Sequence, residues 1–117
     1  MSHWAALTEG VTDDWIHVDL GRERRLTSVA TQGAVCCAEW VTQFQLAYVG
    51  AQGWVPDNQV WSTYTEGGRV RTFDANFDQN TVVTNEFAEP FSAQYVEVTA
   101  VAVHAWFSLR MEVYVCE

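Results

Sequence analysis

The segment WIHVDLGRERRLTSVATQG, residues 15–33, decides the fold class. It holds two short apolar runs, 15–20 and 26–31, each alternating in part with polar residues. Period-two alternation with Val, Ile and Thr marks a strand with one buried face, because successive side chains of an extended chain point to opposite sides. Between the runs stand Gly21 and a charged knot, Arg22, Glu23, Arg24 and Arg25. A glycine-led polar break of this kind predicts a turn from one strand into the next. After Gly33 the chain carries no charge until Glu39, and that loop is the candidate functional region.

Outward from this segment the same period recurs. VTQFQLAYVG (41–50) alternates cleanly, with Phe44, Leu46 and Tyr48 on the face expected to meet the core. FSLRMEVYVC (107–116) sets Phe107, Leu109, Met111, Val113 and Val115 on one face and is the clearest strand of the chain. Residues 60–64 and 69–73 read as shorter strands around a Gly67-Gly68 turn, and 91–103 as a longer one after a break at Glu89-Pro90. Residues 1–14 read as mixed and turn-like, and 50–53 and 54–58 as a turn and an irregular piece. No window of about a dozen residues keeps a helical period. Many short strands between turn signals predict an antiparallel sandwich or barrel.

The totals agree. A chain of 117 residues is expected to form one domain, 1–117. With 49% apolar residues and six Trp, it has material for a core. No apolar run approaches the roughly 20 residues of a membrane-spanning helix. The N-terminal ten residues lack the basic and apolar regions of a signal peptide. Fifteen carboxylates oppose six Arg, with no Lys, for a net charge of −9. Such a surface repels phosphate backbones, which argues against nucleic-acid partners, and it argues against a strong, purely electrostatic attraction to anionic lipid. The three cysteines include the adjacent pair Cys36-Cys37 and the penultimate Cys116, with no CxxC or His-rich spacing that would hold a metal.

The ordered succession WIHVDLG (15–21), LTSVATQG (26–33), WVTQFQLAY (40–48), NTVVTNEF (80–87), AQYVEV (93–98) and WFSLRMEVYVC (106–116) resembles the discoidin domain, also called the coagulation factor V/VIII type C domain. The resemblance covers the chain from about Trp4 to the C-terminus and rests on the order of the blocks. It implies an antiparallel jelly-roll β-sandwich, galactose-binding-like, whose one end carries protruding spike loops. It further implies a non-catalytic extracellular module that recognises cell-surface or matrix glycans or proteins, or phospholipid membranes. Against the roughly 150 residues expected of the family, the chain reads as N-terminally truncated by about 40. The usual disulfide partner of Cys116 would lie in the missing part.

On this reading Ala34, Val35, Cys36, Cys37 and Ala38 form an uncharged spike, and Trp4 borders it as a second rim aromatic. Exposed apolar loop residues are the usual mark of a contact surface. Trp40 and Trp106 read as packing residues, and Arg110 as a structural guanidinium on the polar side of the closing strand. The Arg knot should lie at the end of the sandwich opposite the spike. Asp74, Asn76, Asp78 and Asn80 imitate the start of a calcium loop, but Gln79 and Asn85 stand where Gly and Glu are needed, so a polar turn is expected. Some family members hold a structural calcium, and no other cofactor is implied. His3, His17 and His104 are scattered, with no nucleophile motif beside them, so no enzyme is predicted. A competing expectation is an oligomerisation piece that self-associates by borrowing strands from another chain.

Overall fold

The computed structural model describes residues 2–11, 15–34, 38–50, 61–105 and 107–116, with the backbone alone for 2–11 and Phe107. Among them every regular element is a strand and every pairing is antiparallel. The strands are β1 (Ser2–Val11), β2 (Trp15–Gln32), β3 (Trp40–Val49), four two-residue pieces, β8 (Val83–His104) and β9 (Phe107–Cys116). The short pieces are β4 (Ser62–Thr63), β5 (Thr65–Glu66), β6 (Arg69–Val70) and β7 (Phe73–Asp74).

One hydrogen-bonded path, β1-β9-β2-β8-β3-β4, makes both layers of a sandwich. The first half of β2, residues 15–19, pairs with residues 95–99 of β8, which continue onto β3. The second half of β2 lies between β9 and residues 83–86 of β8. Both long strands therefore pass from one layer to the other, and β3 and β9 face each other across the core. Strands that change sheets do so at bulges, where extra residues bend the backbone without ending the pairing.

Strand pairing corrects three sequence expectations, the first two at these bulges. The Arg knot is an excursion within one continuous strand, not a turn between two: residues 20–23 of β2 stand opposite Gln94 alone, after which pairing resumes at Arg24 with Ala93. Gly21, at φ +84°, makes the bend, its N–H donates to Asp19 Oδ1 at 2.8 Å, and Arg24 Nε donates to the Leu20 carbonyl at 2.9 Å. Glu89-Pro90 likewise does not break the chain, since residues 87–90 bulge from β8 opposite Thr27. A bulge is one of the few places where a strand tolerates proline, which has no N–H to donate. Thirdly, residues 2–11 are a strand on the outer edge of β9. Their composition carries no clean alternation, so the pairing is set by the partner strand.

Other expectations hold. The face of β9 carrying Leu109, Met111, Val113 and Val115 is buried. Phe44 and Leu46 of β3 are buried as expected, and irregular pairing around Gln43 turns Val41 inward as well. Gly67 and Gly68, both at positive φ, make the two-residue hairpin between β5 and β6 that their sequence announced. Residues 69–73, expected as one strand, divide between β6 and β7. Residues 51–60 lie outside the described residues, and with them the turn and irregular piece expected there.

One corner of the core is aromatic. Phe44 stacks on Phe73 at 4.9 Å, and Tyr64, Phe87 and Phe91 close the cluster with centroids 5.0–5.3 Å apart. Glu66 Oε2 ties this corner together, accepting from the Tyr64 hydroxyl at 2.5 Å, Arg71 Nη1 at 2.8 Å and the Ala88 N–H at 2.9 Å. The Arg71 guanidinium also lies 4.1 Å over the Phe73 ring. Burial raises the Glu66 carboxyl, but its three donors outweigh that and hold it below the usual range. Burial, then the bond to Glu66, pushes the Tyr64 hydroxyl up to about 12.

Candidate functional site: an apolar rim at one end of the sandwich

Register fixes the two ends. Gln32 pairs with Arg110 and Trp40 with His104, so the 33–39 loop and the turn between β8 and β9 share one end. Arg25 pairs with Cys116, which puts the Arg knot at the opposite end, as the sequence predicted. Cys116 is exposed and unbridged there.

The 33–39 loop is rooted by its own backbone. Ala34 N–H donates to the Glu39 carbonyl at 2.9 Å, and the two form an isolated antiparallel bridge. At Gly33 an added Cβ would lie 2.7 Å from the Glu39 carbonyl oxygen and 2.8 Å from Trp40 Cβ, so only glycine fits. Glu39 Oε1 accepts from the hydroxyl of the fully buried Ser108 at 2.8 Å. Trp40 is half-buried and stacks on His104 at 4.2 Å with 12° between planes.

The neighbouring wall is the polar turn of residues 75–81. Its backbone is bonded to β3 through Ala75 N–H to Thr42 and Asn76 N–H to Val41. Asn76 is buried and donates from Nδ2 to the carbonyls of Thr31 and Thr81, both at 2.9 Å. Asp78 Oδ1 accepts from the N–H groups of Thr81 at 2.7 Å and Asn80 at 2.9 Å, and Oδ2 from the Thr81 hydroxyl at 2.7 Å. These bonds, the Thr81 N–H foremost, hold the Asp78 carboxyl below its ordinary value. The carboxylate thus serves as the turn's internal cap. Among the described residues no three His, Cys, Asp or Glu side chains converge.

Such rooting lets the end present apolar groups to water. Phe77 is 68% exposed, on the turn whose Asp78 carbonyl lies against Gly33. Val101 and Val103 are 50% and 40% exposed on the last residues of β8, beyond its pairing with β2. Ala38 is exposed at φ +51°, and Ala105, before β9, has φ +68°. Two non-glycine residues in the left-handed region at one end of a molecule mark loops held in shape by their surroundings.

The sequence-derived rim is accordingly revised. Ala38 stands as an exposed member. Ala34 does not, being 1% exposed with its N–H bonded under the loop. Trp4 pairs with Val113, six residues along β9 from Phe107 and so roughly 20 Å from the rim by strand rise. Val35, Cys36, Cys37 and Trp106 lie outside the described residues. Phe77, Val101, Val103 and His104 were not foreseen as rim groups. The one signal for them in the sequence was a phenylalanine set between Asn76 and Asp78 in an otherwise polar run.

The model of the F5/8 type C domain matches residues 1–113. The chain belongs to that family. It is 33% identical to mouse lactadherin over 97% of its own length and 23% of the relative's, and 34% identical to bovine lactadherin over 97% and 26%. Human EGF-like repeat and discoidin I-like domain-containing protein 3 is 34% identical over 88% of this chain and 21% of that protein. The chain therefore spans about a quarter of the lactadherins it matches. Among solved structures, recombinant discoidin II of Dictyostelium discoideum superimposes with a TM-score of 0.74 and 26% identity, over 94% of this chain and 41% of that one. A family 32 carbohydrate-binding module from C. perfringens NanJ, solved with galactose, shares the fold at TM-score 0.57 and 17% identity, over 96% and 91%. The F5/8 type C assignment agrees with the jelly-roll sandwich and the rooted loops at its end.

Proposed function

We propose that this F5/8 type C domain is a non-catalytic extracellular recognition module that binds a cell-surface or matrix ligand, a glycan or a protein, through its rim. The observation that carries this reading is the exposure of Phe77, Val101, Val103 and Ala38 together at the rooted end. Scattered exposed apolar groups are ordinary on any surface, but their gathering on the turns and strand ends of one end is the pattern of a contact site. The stacked Trp40–His104 pair adds a flat aromatic edge with a polar tip, which suits sugars and protein side chains alike. The net charge of −9 and lack of Lys favour a glycan or protein over anionic lipid.

A second reading is phospholipid insertion. It is favoured by Phe77, a large apolar side chain on a turn tip, and by the similarity to lactadherins. Glycan-array and liposome binding of the wild type beside a Phe77→Ser/Val103→Asp double variant separates the readings. Loss of glycan or protein binding in the variant supports the first, and loss of liposome binding alone supports the second. Undiminished binding of every ligand would remove the rim from the function.

A further inference from the structure

The outer face of the layer made by the first half of β2, β8 and β3 carries a row of aromatic rings. Trp15 stacks on His17 with centroids 4.3 Å apart and 27° between planes, and His17 meets Trp61 at 4.6 Å. Trp15 and His17 are alternate residues of β2, so both stand on the same face. Trp61 precedes β4, on the far side of β8 and β3, and meets His17 across them. Glu97 and Ala47 are the residues of those two strands level with His17. Glu97 Oε2 is hydrogen-bonded to His17 Nε2 at 2.8 Å, and its Oε1 accepts from the Thr99 hydroxyl at 3.3 Å. The middle ring is therefore held on both faces and at its tip.

Trp15 remains 48% exposed although its ring is held. The 4.3 Å spacing is shorter than the roughly 6.6 Å between alternate residues of a strand, so the two rings lean together and open the space over Thr99. Level with Trp15 stand Thr99 on β8 and then Gln45 on β3. Thr99 is short between two long neighbours, which makes a shallow trough with an indole on one side and an amide on the other. Neighbouring strands lie about 4.8 Å apart, so the two walls rise from backbones about 10 Å apart, room for one sugar ring. Gln45 Nε2 donates to the Thr72 hydroxyl at 3.0 Å, which fixes the amide and leaves its oxygen as an acceptor.

We propose that this trough is a second glycan site, which takes a neutral pyranose with equatorial hydroxyls, stacked on the outer face of Trp15. Such a ring has a flat C–H face and an edge of hydroxyls. The C–H face extends the row of rings by one member, and the hydroxyls bond Gln45 and Thr99. The His17–Trp61 contact closes the trough on one side, so the ring bound is the end of its chain. His17 and Glu97 are positioning residues: they fix Trp15 before the sugar arrives, which lowers the ordering cost of binding. Charge selects against acids. Asp19 and Glu97 lie on this face, residues 15–19, 43–49 and 95–99 contain no Lys or Arg, and the chain carries −9. The site is independent of the rim, since Trp15, Thr99 and Gln45 are not among the rim residues.

The test is amide and indole chemical-shift mapping of the whole 117-residue chain titrated with cellotetraose and with the uronic-acid tetramer of the same linkage. Cellotetraose is expected to shift the Trp15 indole N–H and the amides of Thr99 and Gln45, with at least tenfold weaker response to the acid. Because Trp15 is exposed, Trp15→Ala keeps the fold and is expected to abolish the response. Gln45→Ala leaves the rings untouched and is expected to weaken it several-fold. His17→Ala is expected to weaken it several-fold and to move the Trp15 indole signal of the free protein, and His17→Phe to restore both. Equal response to the acid, shifts confined to the rim, no shifts at all, or an unaffected Trp15→Ala variant would each overturn the proposal. The Phe77→Ser/Val103→Asp variant is expected to respond to cellotetraose at this face as wild type does, so failure of the rim reading is seen separately.

Discussion

The rim and the aromatic corner treat the same kind of residue in opposite ways. At the corner Phe73 is fully buried, stacked on Phe44 and capped by the Arg71 guanidinium. At the rim Phe77, only four residues later, stands 68% exposed on a turn. Both are anchored by a carboxylate with three donors, Glu66 at the corner and Asp78 at the rim. The donors to Glu66 come from the Tyr64 and Arg71 side chains and, 22 residues on, from the backbone of Ala88 in β8, whereas those to Asp78 come from Asn80 and Thr81 alone. Through Ala88 one carboxylate ties a hairpin to β8 at the edge of the core, and the other shapes a single turn that holds an apolar group out of it. The contrast separates residues that stabilise the fold from residues the fold displays.

The largest effect is expected at the corner. Phe73→Ala opens a cavity among stacked rings and is expected to cost about 3–5 kcal/mol in denaturant unfolding. A cost below about 1 kcal/mol would mean the cluster repacks and is not the keystone described. At the foot of the rim, Gly33→Ala forces a Cβ against the Glu39 carbonyl, and about 1–3 kcal/mol is expected. That variant should also disturb rim binding, which Phe73→Ala should spare in the fraction that remains folded.

The corner also carries a pH signature. Tyr64 titrates at about 12 in the folded chain against 10.0 for the free group, so its protonated form is favoured by folding. That stability is fully present below pH 10 and is lost as pH rises toward 12, which an alkaline unfolding series on wild type and Tyr64→Phe can read. Loss of stability over that interval should be shallower in the variant. The smallest effect on stability is expected from Phe77→Ser, within about 0.5 kcal/mol, because an exposed side chain gives up little on removal. If Phe77→Ser unfolds the chain, the contrast between displayed and buried phenylalanines fails.

Much of the fold was legible because alternation on a half-buried strand is a local property. The closing strand and its core face follow from Leu109, Met111, Val113 and Val115 alone. Gly67-Gly68 announced its hairpin because two positive φ angles in sequence suit glycine. The candidate site was less legible. Ala38 is exposed, as the uncharged run suggests, yet Ala34 in the same run is buried, because a bridge to Glu39 turns it inward. Nothing local distinguishes the two alanines. Trp4 borders the rim only on the family resemblance, and its strand register carries it away.

What residues 15–33 determined by themselves was that the chain is extended, one face buried, and bent around Gly21. Whether that bend was a turn or a bulge depended on β8 being present on both sides of it, a contact some 70 residues distant in sequence. Tertiary pairing likewise decided which end the 33–39 loop shares with Phe77 and Val103. Alternation records how each strand meets the core. The convergence of loops at a rim, and of Arg110 with Gln32 across a sheet, is set by register between strands far apart in the chain, which no single stretch encodes.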